Sequence, residues 1–210
     1  MHTAWARTPA YQSPHRADAL LNQLLKQAER DGSLRPDSRA FAAAIRAWGR
    51  SKRFEQKSVQ ALKLLRQMKE LAPKYPSVKP TLEAYLAALD ACARTHSVTV
   101  EQQMAALKVA FAIFKSISHD GLQPNASIFA TVLKATSSLM SNSDERNAIA
   151  KAVFEKAVAA GQVDVSVVKS LQKASSSNLQ HELLAPMSDQ HGAILYGNIP
   201  PAWSKNVRLS

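Results

Sequence analysis

Apolar residues recur along the chain at three- and four-residue spacing, in blocks separated by short polar or proline-bearing breaks. In residues 16–28, Ala17, Leu20, Leu21, Leu24, Leu25 and Ala28 fall on one stripe of a helix. Phe41, Ala44, Ile45 and Trp48 predict the buried face of a helix over 38–50. Val59, Leu62, Leu65 and Met68 predict that of another over 55–71. An Ala-rich helix over 82–94, a polar break over 95–100 and an apolar-striped helix over 101–119 follow. Phe129, Val132 and Leu133 turn inward on a helix opening at Ala126, and a polar break covers 137–143. Ser143 or Asp144 then caps a helix with Ile149, Val153, Phe154 and Ala157 as its stripe. Residues 164–174 read as one more helix.

These blocks repeat. Pro36, Pro80 and Pro124 stand 44 residues apart, and so do Phe41, Tyr85 and Phe129. A fixed period of this size marks stacked helix pairs, because each pair buries its apolar face only against its neighbours. The expected fold is all-α, an α-solenoid of about four helix-turn-helix repeats over 1–37, 38–81, 82–125 and 126–163, with a partial repeat at 164–174. Each x-Pro step is a helix boundary, since the residue before proline is steered away from the α region. Pro9 and Pro14 are expected to break the first helix, Asp31-Gly32-Ser33 to end the next, and Ser51-Lys52-Arg53 to form a basic connector. Residues 1–7 align with 44–50, so the chain is expected to open part-way through a repeat, with any organelle presequence upstream. Residues 175–210, with Pro186, Gly192, Gly197, Pro200 and Pro201, read as an irregular tail in which Trp203 docks as a cap.

Composition narrows the function. Lys+Arg 27 against Asp+Glu 16 gives +11 over 210 residues, which suits a polyanionic partner. The single cysteine, Cys92, excludes an internal disulfide framework and a Cys-based zinc site. No apolar run approaches the roughly 20 residues of a bilayer span; the longest, 104–114, is interrupted by Lys108, so no membrane insertion is expected. The first residues carry neither a basic stretch nor an apolar core, and so form no secretory signal. His181-Glu182-Leu183-Leu184 lacks the second histidine of a zinc-protease helix, and no Gly-rich phosphate loop is present. Neither an enzyme nor a cofactor or metal is expected.

Three stretches carry a resemblance. Ala61-Leu62-Lys63-Leu64-Leu65-Arg66-Gln67-Met68 fits the pattern A-L-x-L-F-x-x-M. Ala110-Phe111-Ala112-Ile113-Phe114-Lys115-Ser116-Ile117, followed by Gly121-Leu122-Gln123-Pro124-Asn125, fits it again with the close G-I-x-P-D. Residues 17–24 with Leu34-Arg35-Pro36-Asp37 are a third match. Over roughly residues 1–165 the chain resembles the pentatricopeptide repeat family, as a divergent branch with long repeats. The tetratricopeptide repeat is the nearest rival. It wants a small residue where this chain has Ile45, Leu89 and Leu133, and a period of about 34.

The resemblance implies a right-handed solenoid whose first helices line a concave groove holding single-stranded RNA at about one base per repeat. It implies a base read by the fifth and last residue of each repeat, here Ala42, Leu86 and Ala130 with Asp37, Thr81 and Asn125. Ala and Leu offer no hydrogen-bonding group, so base selection is expected to be weak and phosphate attraction to dominate. Helix spacing puts Arg39, Arg46 and Arg50 along one face, with Arg94 and Lys134 at matching positions and Glu83 and Asp90 interrupting them. The implied function is an RNA-binding adaptor, a monomer, in RNA processing, stability or translation in a mitochondrion or plastid. The alternative is a protein–protein scaffold subunit of an organelle ribonucleoprotein, with Ala42, Leu86 and Ala130 making the groove apolar.

Overall fold

The period seen in the sequence is a period of capped helices. Asp37 accepts from Ala40 N at 2.9 Å, Thr81 from Ala84 N at 3.4 Å and Asn125 from Ile128 N at 3.0 Å, each opening a helix at its first turn. Four residues further on, Phe41, Tyr85 and Phe129 are all buried. Thr99, Ser143 and Asp164 cap three more helices in the same way.

The computed structural model describes residues 13–31, 34–51, 56–95 and 99–207, and the calls on residues 1–7, Pro9, Gly32-Ser33 and Lys52-Arg53 lie outside the described residues. The described chain is all helical apart from one isolated bridge between Ser188 and Ile194. It forms two compact units, Met1–Leu122 and Gln123–Ser210. The first contains α1 (Ser13–Asp31), α2 (Ser38–Arg50), α3 (Lys57–Leu71), α4 (Leu82–Ala93) and α5 (Val100–His119). The second contains α6 (Ala126–Leu139), α7 (Asp144–Ala159), α8 (Val165–Ala174), α9 (Ser177–Leu184) and the single turn α10 (Pro201–Ser204).

In the first unit α2 packs on α1, α3 and, most extensively, α4, while α5 packs on α3 and α4. Small residues permit this. A Cβ on Gly49 would lie 3.2 Å from Ala91 Cα, so the α2 and α4 backbones nearly touch. Tyr85 on α4 is tied to both second helices: its hydroxyl donates to Asp120, which also accepts from Lys69 Nζ of α3 at 3.0 Å. Burial opposes the Asp120 charge, but these two donors outweigh it and hold the carboxyl below its usual range.

Three sequence expectations are corrected here. The helix expected from Arg16 opens earlier, at Ser13, with Pro14 in its first turn where the missing N–H is harmless; the helix that Pro14 was expected to break lies outside the described residues. The buried edge of α3 is Ala61, Leu64, Leu65 and Met68, whereas Val59 is 54% exposed. Lys57 and Ser58 are buried in its place, because Lys57 Nζ donates to the Arg94 carbonyl at 3.1 Å and so closes the end of α4. Burial, then the Arg94 charge, holds that ammonium below its usual range. Lastly, α6 runs through Ser137 to Leu139, the Ser137 and Thr136 hydroxyls bonding back to their own helix.

In the second unit α6 and α8 lie together, with α7 against both. The tail, expected to be irregular, begins with the helix α9 and folds back as a strap. Trp203 meets Phe154 edge-on at 5.6 Å, and its carbonyl accepts from Val163 N at 2.8 Å. Asn206 binds the end of α7 through Gly161 O and Ala160 O, both at 2.9 Å. Gly161 turns there at φ 64, where a Cβ would fall 2.6 Å from Lys205 Cγ.

Gly161→Ala therefore loses stability twice: about 1 kcal/mol for the left-handed backbone, and more for displacing the strap. Gly121→Ala, with φ 74 and open space around it, loses only the first. Urea unfolding of the two variants checks the difference. For Asp120 the folded carboxyl lies below its unfolded value, so its contribution is full above the ordinary carboxylate range and is lost as pH falls through the lowered value. Asp120→Asn is expected to cost about 1.5–3 kcal/mol at neutral pH and to flatten the fall in stability below about pH 4, read by urea unfolding at several pH values.

Candidate nucleic-acid interface

In the first unit α2 is apolar nearly all round and accordingly buried nearly all round. One strip is left to solvent, and Arg39, Arg46 and Arg50 occupy it as their spacing predicts. On α4 the corresponding strip is Glu83, Leu86, Asp90 and Arg94. The two strips neutralise each other in part. Arg46 bonds Glu83 Oε1 through both guanidinium NH groups at 2.6 and 2.9 Å, and Arg94 Nε meets Asp90 at 2.5 Å. These are exposed pairs, each contributing less than about 1 kcal/mol, yet they lower the field a phosphate would meet.

The base-reading positions are otherwise engaged. Asp37, Thr81 and Asn125 cap helices through their side chains. Ala42 has 0% exposure and Ala130 9%, so neither lines an open groove; Leu86 alone of the three is half-buried. Ala42 and Ala130, two of the three residues expected to make the groove apolar, are therefore core residues. In the second unit, Lys134 is exposed on α6 among Ser127, Thr131 and Ser138.

Charge is unevenly divided. Residues 1–122 hold 19 Lys+Arg against 10 Asp+Glu, a net +9, whereas 123–210 hold 8 against 6, a net +2. Most of the excess lies in 35–79, with 12 against 3. Part of it faces a cleft of 630 Å³ between α1 and α3, which the sequence reading missed. Lys63 and Arg66 line it with Asn22, Gln60 and Gln67, above a floor that includes Leu21 and Leu64. The signal was present in the charge run, but the apolar pattern placed Val59 inward and so rotated α3. One wall is Asp18, both of whose oxygens accept from Trp48 Nε1 at 3.0 Å. Burial raises its pKa, against the Trp48 bond and the charges of His15 and Lys63.

Among the described residues no group of three or more His, Cys, Asp or Glu is placed to hold a metal ion, and no helix is long and apolar enough to cross a membrane. Cys92 is buried, its thiol pushed up to about 12 by that burial, so no thiolate chemistry is available there. Comparison with protein-family models, curated proteins and solved structures finds no match for this chain.

Asp37→Ala, Thr81→Ala and Asn125→Ala are each expected to lower stability by about 0.5–2 kcal/mol, as lost helix caps. Thermal or urea unfolding measures this, and unchanged stability would mean the side chains are held for a ligand instead.

Proposed function

We propose that this protein is an RNA-binding adaptor built from pentatricopeptide-type helix pairs, about four of them stacked as a right-handed solenoid. It holds single-stranded RNA chiefly through phosphates. The observation that carries this is the net +9 on residues 1–122, with Arg39, Arg50, Lys63 and Arg66 exposed there. The caps at Asp37, Thr81 and Asn125 and the buried Ala42 and Ala130 favour backbone attraction over the family's usual base reading. By the same resemblance the process is organelle RNA processing, stability or translation.

A protein–protein scaffold is the second reading. Its support is the exposed pair Val100 (74%) and Met104 (37%), one turn apart on α5.

Binding of a mixed-sequence single-stranded RNA decides between them. With about three phosphates neutralised, affinity is expected to fall about 20-fold between about 50 and 200 mM salt. Absence of RNA binding at either salt contradicts the adaptor and favours the scaffold.

A further inference from the structure

The two solvent-facing sides of the first unit differ in what their polar groups are doing. On the α2–α4 side, Asp37 and Thr81 cap helices, and Arg46 and Arg94 are paired with acids. In the α1–α3 cleft, Asn22, Gln60, Gln67, Lys63 and Arg66 make no side-chain hydrogen bond or ion pair among the described residues; Lys63 only lends its charge to Asp18. Five side chains with unfilled hydrogen-bonding capacity thus converge on one concavity. Its 630 Å³ is within the range, about 300–1,000 Å³, of sites that enclose a small ligand.

We propose that this cleft takes one nucleotide of a bound single-stranded RNA, its phosphate on Lys63 and Arg66 and its base edge on Asn22, Gln60 and Gln67. This rests on the RNA reading above and names where that reading acts. Lys63 and Arg66 are three residues apart and so share a face of α3, giving two cations within reach of one phosphate. Primary amides both donate and accept, which matches the mixed edges of the bases. Leu62, Leu64 and Val59 supply apolar surface to base and ribose; among the described residues the lining holds no aromatic ring, so stacking by them contributes little. Two acids also line the cleft. Asp18 is turned onto Trp48, and Glu70 stands one turn beyond Arg66. The occupant is a polyanion because the α3 wall of the cleft belongs to residues 35–79, which hold 12 Lys+Arg against 3 Asp+Glu.

The test is fluorescence anisotropy of the full chain with a labelled mixed-sequence single-stranded RNA, comparing two double variants of equal charge. Lys63→Gln with Arg66→Gln removes the phosphate contacts and is expected to weaken binding at least about tenfold. Lys108→Gln with Lys115→Gln removes the same charge from exposed positions of α5 outside the cleft, and is expected to weaken it less than about threefold. All four residues are exposed, so both variants keep the fold, which their unfolding transitions verify. Gln60→Ala with Gln67→Ala is expected to abolish whatever preference the chain shows among the four homopolymer RNAs. Equal losses in the two charge variants would overturn the cleft assignment while leaving RNA binding standing. A wild-type chain that binds no RNA would overturn both.

Discussion

The first helices α2 and α4 are enclosed on almost every side, and that enclosure governs the rest of the first unit. Their Ala-rich sequences let backbones approach until Gly49 and Ala91 are in contact, which a longer side chain at either position would prevent. Enclosure leaves each helix one narrow strip of surface, and Tyr85 is the exception among their otherwise apolar buried side chains. Polar side chains accordingly collect at helix ends, where they satisfy backbone donors, or on the outer faces of α1, α3 and α5. The Tyr85–Asp120–Lys69 network belongs to the same logic. The one large polar atom that α4 carries inward, the Tyr85 hydroxyl, is met by a carboxylate placed at the end of α5.

Much of the fold was legible because the signals were local. The cap expected at Ser143 or Asp144 is found at Ser143, and the 44-residue spacing of Phe41, Tyr85 and Phe129 reappears as three buried aromatics. What escaped depends on tertiary context. Val59 reads as core by spacing, yet Lys57 is the buried residue because an α4 carbonyl awaits its ammonium. The tail gave no periodic signal, since its order comes from long-range bonds such as Asn206 to Ala160 and Gly161.

The candidate site was legible in charge and not in position. Arg39, Arg46 and Arg50 do share a strip, as helical spacing requires. Pairing of Arg46 with Glu83 follows from the packing of α2 against α4 and could not be read from either helix alone. Ala42 and Ala130, offered as groove residues by the resemblance, are core residues whose small size serves packing. The cleft was hidden because Val59 and Leu62, which line it, read as core by spacing, and because it forms only where α1 and α3 come together. Net charge says that a polyanion fits; only the set of side chains left without partners says where.

In the proposed function, single-stranded RNA is held by residues 1–122, with α1 and α3 contributing the nearest contacts. Photo-crosslinking of the full chain to RNA carrying 4-thiouridine, with the attached peptides mapped by mass spectrometry, addresses it directly. Adducts are expected to concentrate in peptides from Ser13–Asp31 and Lys57–Leu71. Adducts concentrated in residues 123–210, or confined to the strip of α4, would contradict it.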